Sequence, residues 1–574
     1  MSTQPRQHHV RWAGEDTLRM PPDRAALLAD LLGKNGRLHV VSNRGPITFE
    51  LDPDVPAGLT AGRGAGGLVT ALVELGRHAP VSWTAAALTE GDKTVSRFLQ
   101  ELGDPAGPGG NGSADHAATL ALVRALIEGA LPHHDVRLRY EVLPEDVFDG
   151  YYRVVANPLL WFLQHQMYAL PLAPNIDSTM VAAWRQGYRA ANERLAEAAV
   201  AAAGGAERPL FLVQDYHLYL APARIRELLP DASILHFTHI PWPPDSIWQV
   251  LPQGMRRAIC EGLLASDIVG LQTDRYANHF MDTVASFVRD ARIDPDSRLI
   301  RWRDRRVRVR TYPISVDPDG LAEFARSAPV EERVARLRGR LQRVRPTSGG
   351  PDAPLVIVRA DRIEPSKNVL RGFVAFEALL VKRPELRQRV RFVAVQAPTR
   401  TSIPEYAHYA AAVREVVARI NGLAEPDDQP IWIYDGSDYA MAIAALRLAD
   451  VVMVNPVVDG MNLVAKEAVL VGERDPVLLL SETAGAAEQL AADSLIVAPA
   501  DVAGTADQLE RALLMPADER RARTRRLRYA VREQDIEWWL TRQLRDLAAV
   551  RRGEHPPSRR LRDTVRRIEE PLLS

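Results

Sequence analysis

Cysteine and lysine are the scarce residues of this 574-residue chain. The single cysteine, Cys260, excludes an internal disulfide and a cysteine-rich metal centre, which fits a reducing compartment. No apolar run reaches the roughly 18 residues of a membrane-crossing helix. The N-terminus, MSTQPRQHHVRWAG, has no signal-peptide apolar core, so a cytoplasmic chain is expected. A formal net charge of −1 excludes a globally basic nucleic-acid binder. Of 72 basic residues only five are lysines, Lys34, Lys93, Lys367, Lys382 and Lys466. So strong an arginine bias makes the position of each lysine informative.

The rest of the composition, 46% hydrophobic and 25% charged, is that of a globular protein long enough for roughly two to four domains. Residues 1–36 are polar, contain no clear strand and read as an extension of uncertain order. From Leu38, short Val/Ile/Leu runs alternate with helical stretches: RLHVVSN, PLFLVQD, SILHFTH, SDIVGLQ and RVRVRTYPI. A second series follows the Pro/Gly-rich PTSGGPDAP (346–354): PLVIVRAD, VRFVAVQAP, PIWIYDG, DVVMVNP, PVLLLSE and SLIVAP. Strands alternating with helices predict an α/β chain of two Rossmann-like, doubly wound sheets divided near 320–353. Residues 103–116 read as a glycine-rich surface loop.

Open α/β sheets bind ligands beyond the carboxyl ends of their strands. In this chain the chemically active residues follow the strands. Arg44 follows VVSN, Asp215 and His217 follow FLV, and His239 ends ILHFT. Arg362 and Lys367 follow PLVIV, Arg400 follows FVAV, and Asp459-Gly460-Met461-Asn462 follows VVMV and opens the helical run LVAKEAVLVGE. An arginine or lysine on one such loop is ordinarily solvated surface; repetition over so many exits is not. Arg362 offers a planar fork to a phosphate and Lys367 a point charge. The glycines of AGRGAGGL (61–68) suit either a turn or a close backbone approach to an anion. They form neither a Walker loop nor a clean GxGxxG after a strand. Asp459 or Asn462 can cap the following helix, whose N-terminus is equally an anion site, and Glu467 lies where a carboxylate can reach a ribose. No HxH or HExxH occurs, so no metal site and no cofactor are expected.

Together these segments resemble the trehalose-6-phosphate synthases, retaining nucleotide-sugar glycosyltransferases of GT-B architecture, over about residues 37–550. The carriers are VVSNRGP (40–46), AGGL (65–68), YYRVVANPLLW (151–161), QDYHL (214–218), HIPWP (239–243), Arg362 with Lys367, APTR (397–400), RING (419–422) and DGMNLVAKE (459–467). The resemblance implies an acceptor domain at 37–330, a donor domain at 331–535, a helix at about 536–555 that crosses back onto the first, and a tail at 556–574. It implies that Arg362 and Lys367 hold a donor diphosphate beside Gly67. Gly460, Met461 and Asn462 line the donor, and Leu463 and Glu467 contact its nucleoside. Asp459 and His239 hold the donor sugar. Arg44, Tyr152, Trp161, Asp215 and Arg400 bind the acceptor, with Arg44 and Arg400 on its phosphate. The implied substrates are a nucleotide-glucose and glucose 6-phosphate, with no nucleic acid, no membrane and room for a homo-oligomer.

Two departures qualify this. Gln214 stands where the family usually has histidine, and Glu364-Pro365-Ser366-Lys367-Asn368 stands for Asp-Tyr-Ser/Thr-Lys-Gly. Asn368 replaces a phosphate-proximal glycine, which places a guanosine donor beside the family's uridine donor. In a retaining transfer without a carboxylate nucleophile, the attacking hydroxyl gives its proton to the departing diphosphate on the same face. Two alternatives use the same scaffold: a pseudo-glycosyltransferase that couples an activated cyclitol to an amine, and a silent sugar-phosphate-binding regulator. The arginine-rich ERRARTRRLRYAVRE (519–533) reads as an amphipathic helix with a solvated face rather than a nucleic-acid binder.

Overall fold

The computed structural model describes residues 24–554 apart from 34–35, 56–57, 64–71, 78, 104–113, 345–353, 398–402, 423, 425–427 and 437. The first sheet is built from β1 (Leu38–Ser42), β4 (Val81–Ala86), β5 (Val136–Glu141), β6 (Leu210–Gln214), β7 (Ser233–Phe237), β8 (Ile268–Leu271), β9 (Arg292–Asp294), β10 (Leu299–Trp302) and β11 (Arg305–Thr311). Its order is β5-β4-β1-β6-β7-β8-β11-β10-β9. All neighbours are parallel except β9 and β10, which close one edge antiparallel. A separate hairpin, β2 (Ile47–Leu51) with β3 (Leu59–Arg63), follows β1. The second sheet is wholly parallel: β12 (Leu355–Arg362), β13 (Val390–Ala397), β14 (Ile431–Asp435), β15 (Val451–Val454), β16 (Val477–Ser481) and β17 (Leu495–Val497), in the order β14-β13-β12-β15-β16-β17. Strands buried on both faces explain the unbroken apolar runs of β1, β6, β7 and β15–β16, since helices cover each side.

Counted in chain order without the hairpin, both sheets begin 3-2-1-4-5-6, so each has a switch point between its first and fourth strands. These are β1/β6 in the first sheet and β12/β15 in the second. The chain leaves the first sheet at Thr311 and enters the second at Leu355. It returns through the helix Ile536–Arg551, where the Trp539 ring meets Phe237 edge-on at 5.4 Å and its Nε1 donates to Tyr312 O at 3.1 Å. One apolar cluster therefore runs from the first sheet through this helix into the second half.

Part of the leading segment is ordinary core. The helix Arg24–Leu32 buries Leu28 and Leu31, and Arg551 donates to Leu31 O, so the expected extension ends earlier than residue 36. A helix, Ala114–Ala130, also begins inside the stretch read as a loop over 103–116. Ala61–Arg63 of AGRGAGGL end strand β3 rather than forming a glycine turn. The remainder of that motif, with Gly67, and also Arg400, lie outside the described residues.

Candidate active site

The exits of β12 and β15 meet at the second switch point. The Lys367 ammonium donates to Asp459 Oδ2 at 2.5 Å, and Asn462 Nδ2 donates to the same oxygen at 3.0 Å. Burial works against both charges, yet each holds the other: Asp459 keeps the lysine above its ordinary pKa, and Lys367 keeps the carboxyl below its own. Arg362, with 47% of its side chain exposed, reaches into the crevice while donating to the buried Glu364 at 2.9 Å. Its guanidinium also lies 5.9 Å from the Trp161 ring centroid, joining the two halves.

Asn462 precedes the helix Leu463–Val471 at φ 75°, ψ 88° and makes no capping bond; its amide serves Asp459 instead. The expectation of an ordinary cap is therefore replaced by a polar ligand to the carboxylate. Met461 is buried and Leu463 half-buried beside it. One turn further, Glu467 accepts from Tyr439 OH at 3.0 Å, and burial pushes its carboxyl pKa up. Lys466 is fully buried and donates to Ile314 O at 2.9 Å, so it is a strut between the halves rather than a group in the crevice.

The first switch point is built differently. Arg44 is exposed. Asp215 leaves β6 at φ 73°, ψ 171°, a backbone region costly for any residue but glycine. Its Oδ1 accepts from His239 N at 3.0 Å, and its own amide donates to Phe237 O at 2.7 Å. His239, half-buried, has its pKa pulled down to about 3 by desolvation and by the neighbouring His236. The ring is thus neutral, and its Nε2 faces Gln214 Oε1 at 3.0 Å. Gln214 does this in place of the histidine implied by the resemblance.

Aromatic residues floor this side. Asp149–Trp161 is wound as a wide π-helix, which turns Tyr151, Tyr152 and Trp161 towards the β6 exit. Tyr152 stacks on His217 at 6.0 Å, Trp161 stacks on His165 at 4.0 Å, and Tyr151 OH donates to Asn43 Oδ1 at 2.8 Å.

The halves touch at Gly460. A Cβ there would lie 2.0 Å from His239 O, so only glycine allows the DGMN turn against the HIPWP strand exit. Tyr276 OH donates to Asp459 O at 2.9 Å, and Glu488 accepts from the amides of Asp274 and Arg275. No motif pointed to Tyr276, which sits inside the helix Asp274–Phe287. Arg359, Asp361 and His165 were missed as well, although an arginine inside an apolar strand was a visible signal.

Asn368 takes φ 55°, ψ 36°, the left-handed conformation that explains a glycine at this position and that asparagine tolerates better than most residues. Its Nδ2 donates to Pro499 O at 2.7 Å, and its Oδ1 accepts from Arg371 at 3.1 Å. The replacement keeps the backbone and ties its side chain to protein groups, so it gives no reason to expect a guanosine donor. Among the described residues no cluster of three His, Cys, Asp or Glu could hold a metal ion, and no helix is long and apolar enough to cross a membrane.

The model of glycosyltransferase family 20 matches residues 36–549. A bifunctional trehalose-6-phosphate synthase/phosphatase of Thermoproteus tenax is 36% identical over 424 residues, 73% of this chain and 55% of that protein, so the chain spans about half its length. A validamine 7-phosphate valienyltransferase of Streptomyces hygroscopicus subsp. jinggangensis is 30% identical over 514 residues, 89% of this chain and 94% of that protein. The crystal structure of a UDP-forming α,α-trehalose-phosphate synthase from Burkholderia xenovorans, in complex with glucose-6-phosphate, superposes with a TM-score of 0.71. It has 28% identity and covers 89% of this chain and 100% of that one. Two doubly wound sheets whose switch points face one crevice are the GT-B architecture, and the chain belongs to glycosyltransferase family 20.

Proposed function

We propose that the chain transfers glucose, with retention, from a nucleoside diphosphate glucose to glucose 6-phosphate, releasing the nucleoside diphosphate and α,α-trehalose 6-phosphate. The observation that carries this reading is the Lys367–Asp459 pair with Arg362 at one switch point, facing Asp215 and His239 at the other. Arg362 and Lys367 stabilise charge as it develops on the leaving diphosphate, to which the family resemblance also assigns Gly67. Cations fixed in advance act without waiting for solvent to reorganise, and in many enzymes such electrostatic stabilisation supplies most of the rate enhancement. Asp459 and His239 orient the donor sugar, with Gly460, Met461 and Asn462 around it, and Leu463 and Glu467 hold the nucleoside. Arg44 and Arg400 clamp the acceptor phosphate, and Tyr152, Trp161 and Asp215 place its sugar. The acceptor hydroxyl attacks on the face the diphosphate leaves, and a diphosphate oxygen takes its proton. Bringing both substrates to one crevice supplies the rest of the acceleration.

The donor base in this reading is uridine or guanosine, and the Burkholderia relative is UDP-forming by name. The test incubates the protein with glucose 6-phosphate and, in turn, UDP-glucose, GDP-glucose and ADP-glucose, and identifies the product by mass and NMR. A disaccharide phosphate with an α,α linkage supports the reading; no such product from any donor sinks it. Similarity to the valienyltransferase favours one second reading, transfer of an activated cyclitol to an amine. A carbon–nitrogen product from an aminocyclitol phosphate, with none from glucose 6-phosphate, selects that reading instead.

A further inference from the structure

A charged side chain lies in the middle of the second sheet. Arg359 belongs to β12, the strand between β13 and β15, and its side chain is 0% exposed. Burying a guanidinium is costly unless every donor is used. Its donors are spent in one place. Nε and Nη2 both donate to Asp361 Oδ2, at 3.1 and 2.8 Å. Nη2 also donates to Lys367 O at 3.1 Å, and Nη1 to Val369 O at 3.3 Å. The two carbonyls flank Asn368, the left-handed residue that turns the chain from the Pro365–Lys367 turn into the helix Val369–Lys382. Room for the guanidinium comes from Gly372, where a Cβ would lie 2.3 Å from Arg359 Nη1.

From this arrangement we infer that Arg359, neutralised by Asp361, is the positioning residue that fixes the Lys367 turn and so aims the ammonium at the donor diphosphate. The inference rests on the proposed role of Lys367. The fork geometry matters: one planar group reaches a carboxylate and two carbonyls at once, which an ammonium on a single stem does not reproduce. Asp361 balances the charge, so the pair contributes geometry to the crevice rather than a further cation. The carbonyls of Lys367 and Val369 are held from inside the sheet, and the lysine Nζ lies 2.5 Å from Asp459. A turn anchored at only one of these carbonyls would let Nζ wander by more than the tolerance of a site that works by preorganisation.

The test replaces the pair as a unit. Exchanging a buried ion pair for apolar residues of similar volume is often tolerated by the fold, whereas removing one partner strands a charge. Arg359→Leu/Asp361→Leu is expected to keep a parent-like Tm and acceptor KM while kcat falls about 10- to 100-fold. Inorganic pyrophosphate, used as a competitor of the donor, is expected to inhibit this variant more weakly than the parent. Lys367→Ala is the parallel control. If it keeps parent turnover, the role of Lys367 fails, and this inference with it. If Lys367→Ala is inactive and the double variant retains parent kcat, only the positioning role is overturned. A kcat loss that arrives with a fallen Tm and a raised acceptor KM marks a merely structural pair and overturns it too. Should the double variant not fold, Arg359→Lys decides, since it keeps the charge and loses the fork. A lowered kcat at unchanged Tm supports the inference, and parent kcat overturns it.

Discussion

The two sheets share a strand order and differ in how their crevice ends are furnished. At the β12/β15 switch point the charges are already paired: Lys367 with Asp459, Arg362 with Glu364, Arg359 with Asp361. At the β1/β6 switch point Arg44 stands exposed, and the buried polar groups are neutral histidines, amides and tyrosine hydroxyls. A half that must stabilise a leaving diphosphate gains from cations fixed beforehand, because reorganising them during the reaction would be part of the barrier. A half that recognises a sugar phosphate can use an exposed cation over an aromatic floor and pay for order when the ligand arrives.

The largest expected consequence is unequal acid stability. In the first half His39 and His165 are pulled down to about 4, and His236 and His239 to about 3, with burial the leading cause each time. Between residues 355 and 535 the one histidine, His408, is exposed. The unfolded chain takes up these protons near pH 6.5, and the folded chain takes them up only below about 4, so stability is lost as pH falls through that window. Each group costs about 1.4 kcal/mol per pH unit, so the four together cost ~6 kcal/mol per pH unit, a large share of the 5–15 kcal/mol typical of a folded protein. Burial raises Asp361 and Glu467 in the second half, which acts in the opposite direction. Hydrogen exchange at pH 7 and pH 5 should therefore show β1, β6 and β7 losing protection well before β12 and β13. Equal loss in both sheets would remove the contrast.

Breaking the donor side comes next. Lys367→Ala should lower kcat by about 10²–10³, as removal of a preorganised charge-stabilising donor does elsewhere. It also leaves Asp459 without its cation, so the carboxyl pKa should rise and the acid limb of the pH–rate profile should move upward. Steady-state kinetics across pH tests both. On the other side, Arg44→Ala should raise the acceptor KM by about 10- to 100-fold, the value of one hydrogen bond to a charged group. The donor KM should not move. An Arg44 variant that instead raised the donor KM would reverse the assignment of the two sheets.

The second sheet was far more legible in the sequence than the first. Each of its six strands contains an unbroken apolar stretch, LVIV, FVAV, IWI, VVMV, VLLL and LIV, because a parallel strand covered on both faces disfavours polar residues, and Arg359 and Arg391 are the exceptions. In the first sheet β4, VSWTAA, is fully buried yet contains serine, threonine and alanine, and β5, VRLRYE, alternates arginine with apolar residues at the sheet edge. Neither looks like a buried parallel strand. The site shows the same division. Residues at strand exits were readable because topology alone brings them together, whereas Tyr276 and His165 act through tertiary contacts that no local pattern reports, and Arg359 showed only as an arginine inside an apolar strand.

Asn368→Gly carries the smallest expected effect and tests how far a local departure reaches. Asparagine here already supplies the left-handed turn, and its amide is tied to Pro499 O and Arg371. Glycine would relieve roughly 1 kcal/mol of backbone strain, lose two hydrogen bonds of about 1 kcal/mol each and add entropy to the unfolded chain. Net stability should fall by about 1–2 kcal/mol, read as a shift of a few degrees in Tm. The ratio of UDP-glucose to GDP-glucose turnover should be unchanged, since the side chain is engaged with protein groups. A changed ratio would mean that residue 368 senses the nucleotide through the turn it shares with Lys367, which would give the donor half a specificity element that its backbone alone does not reveal.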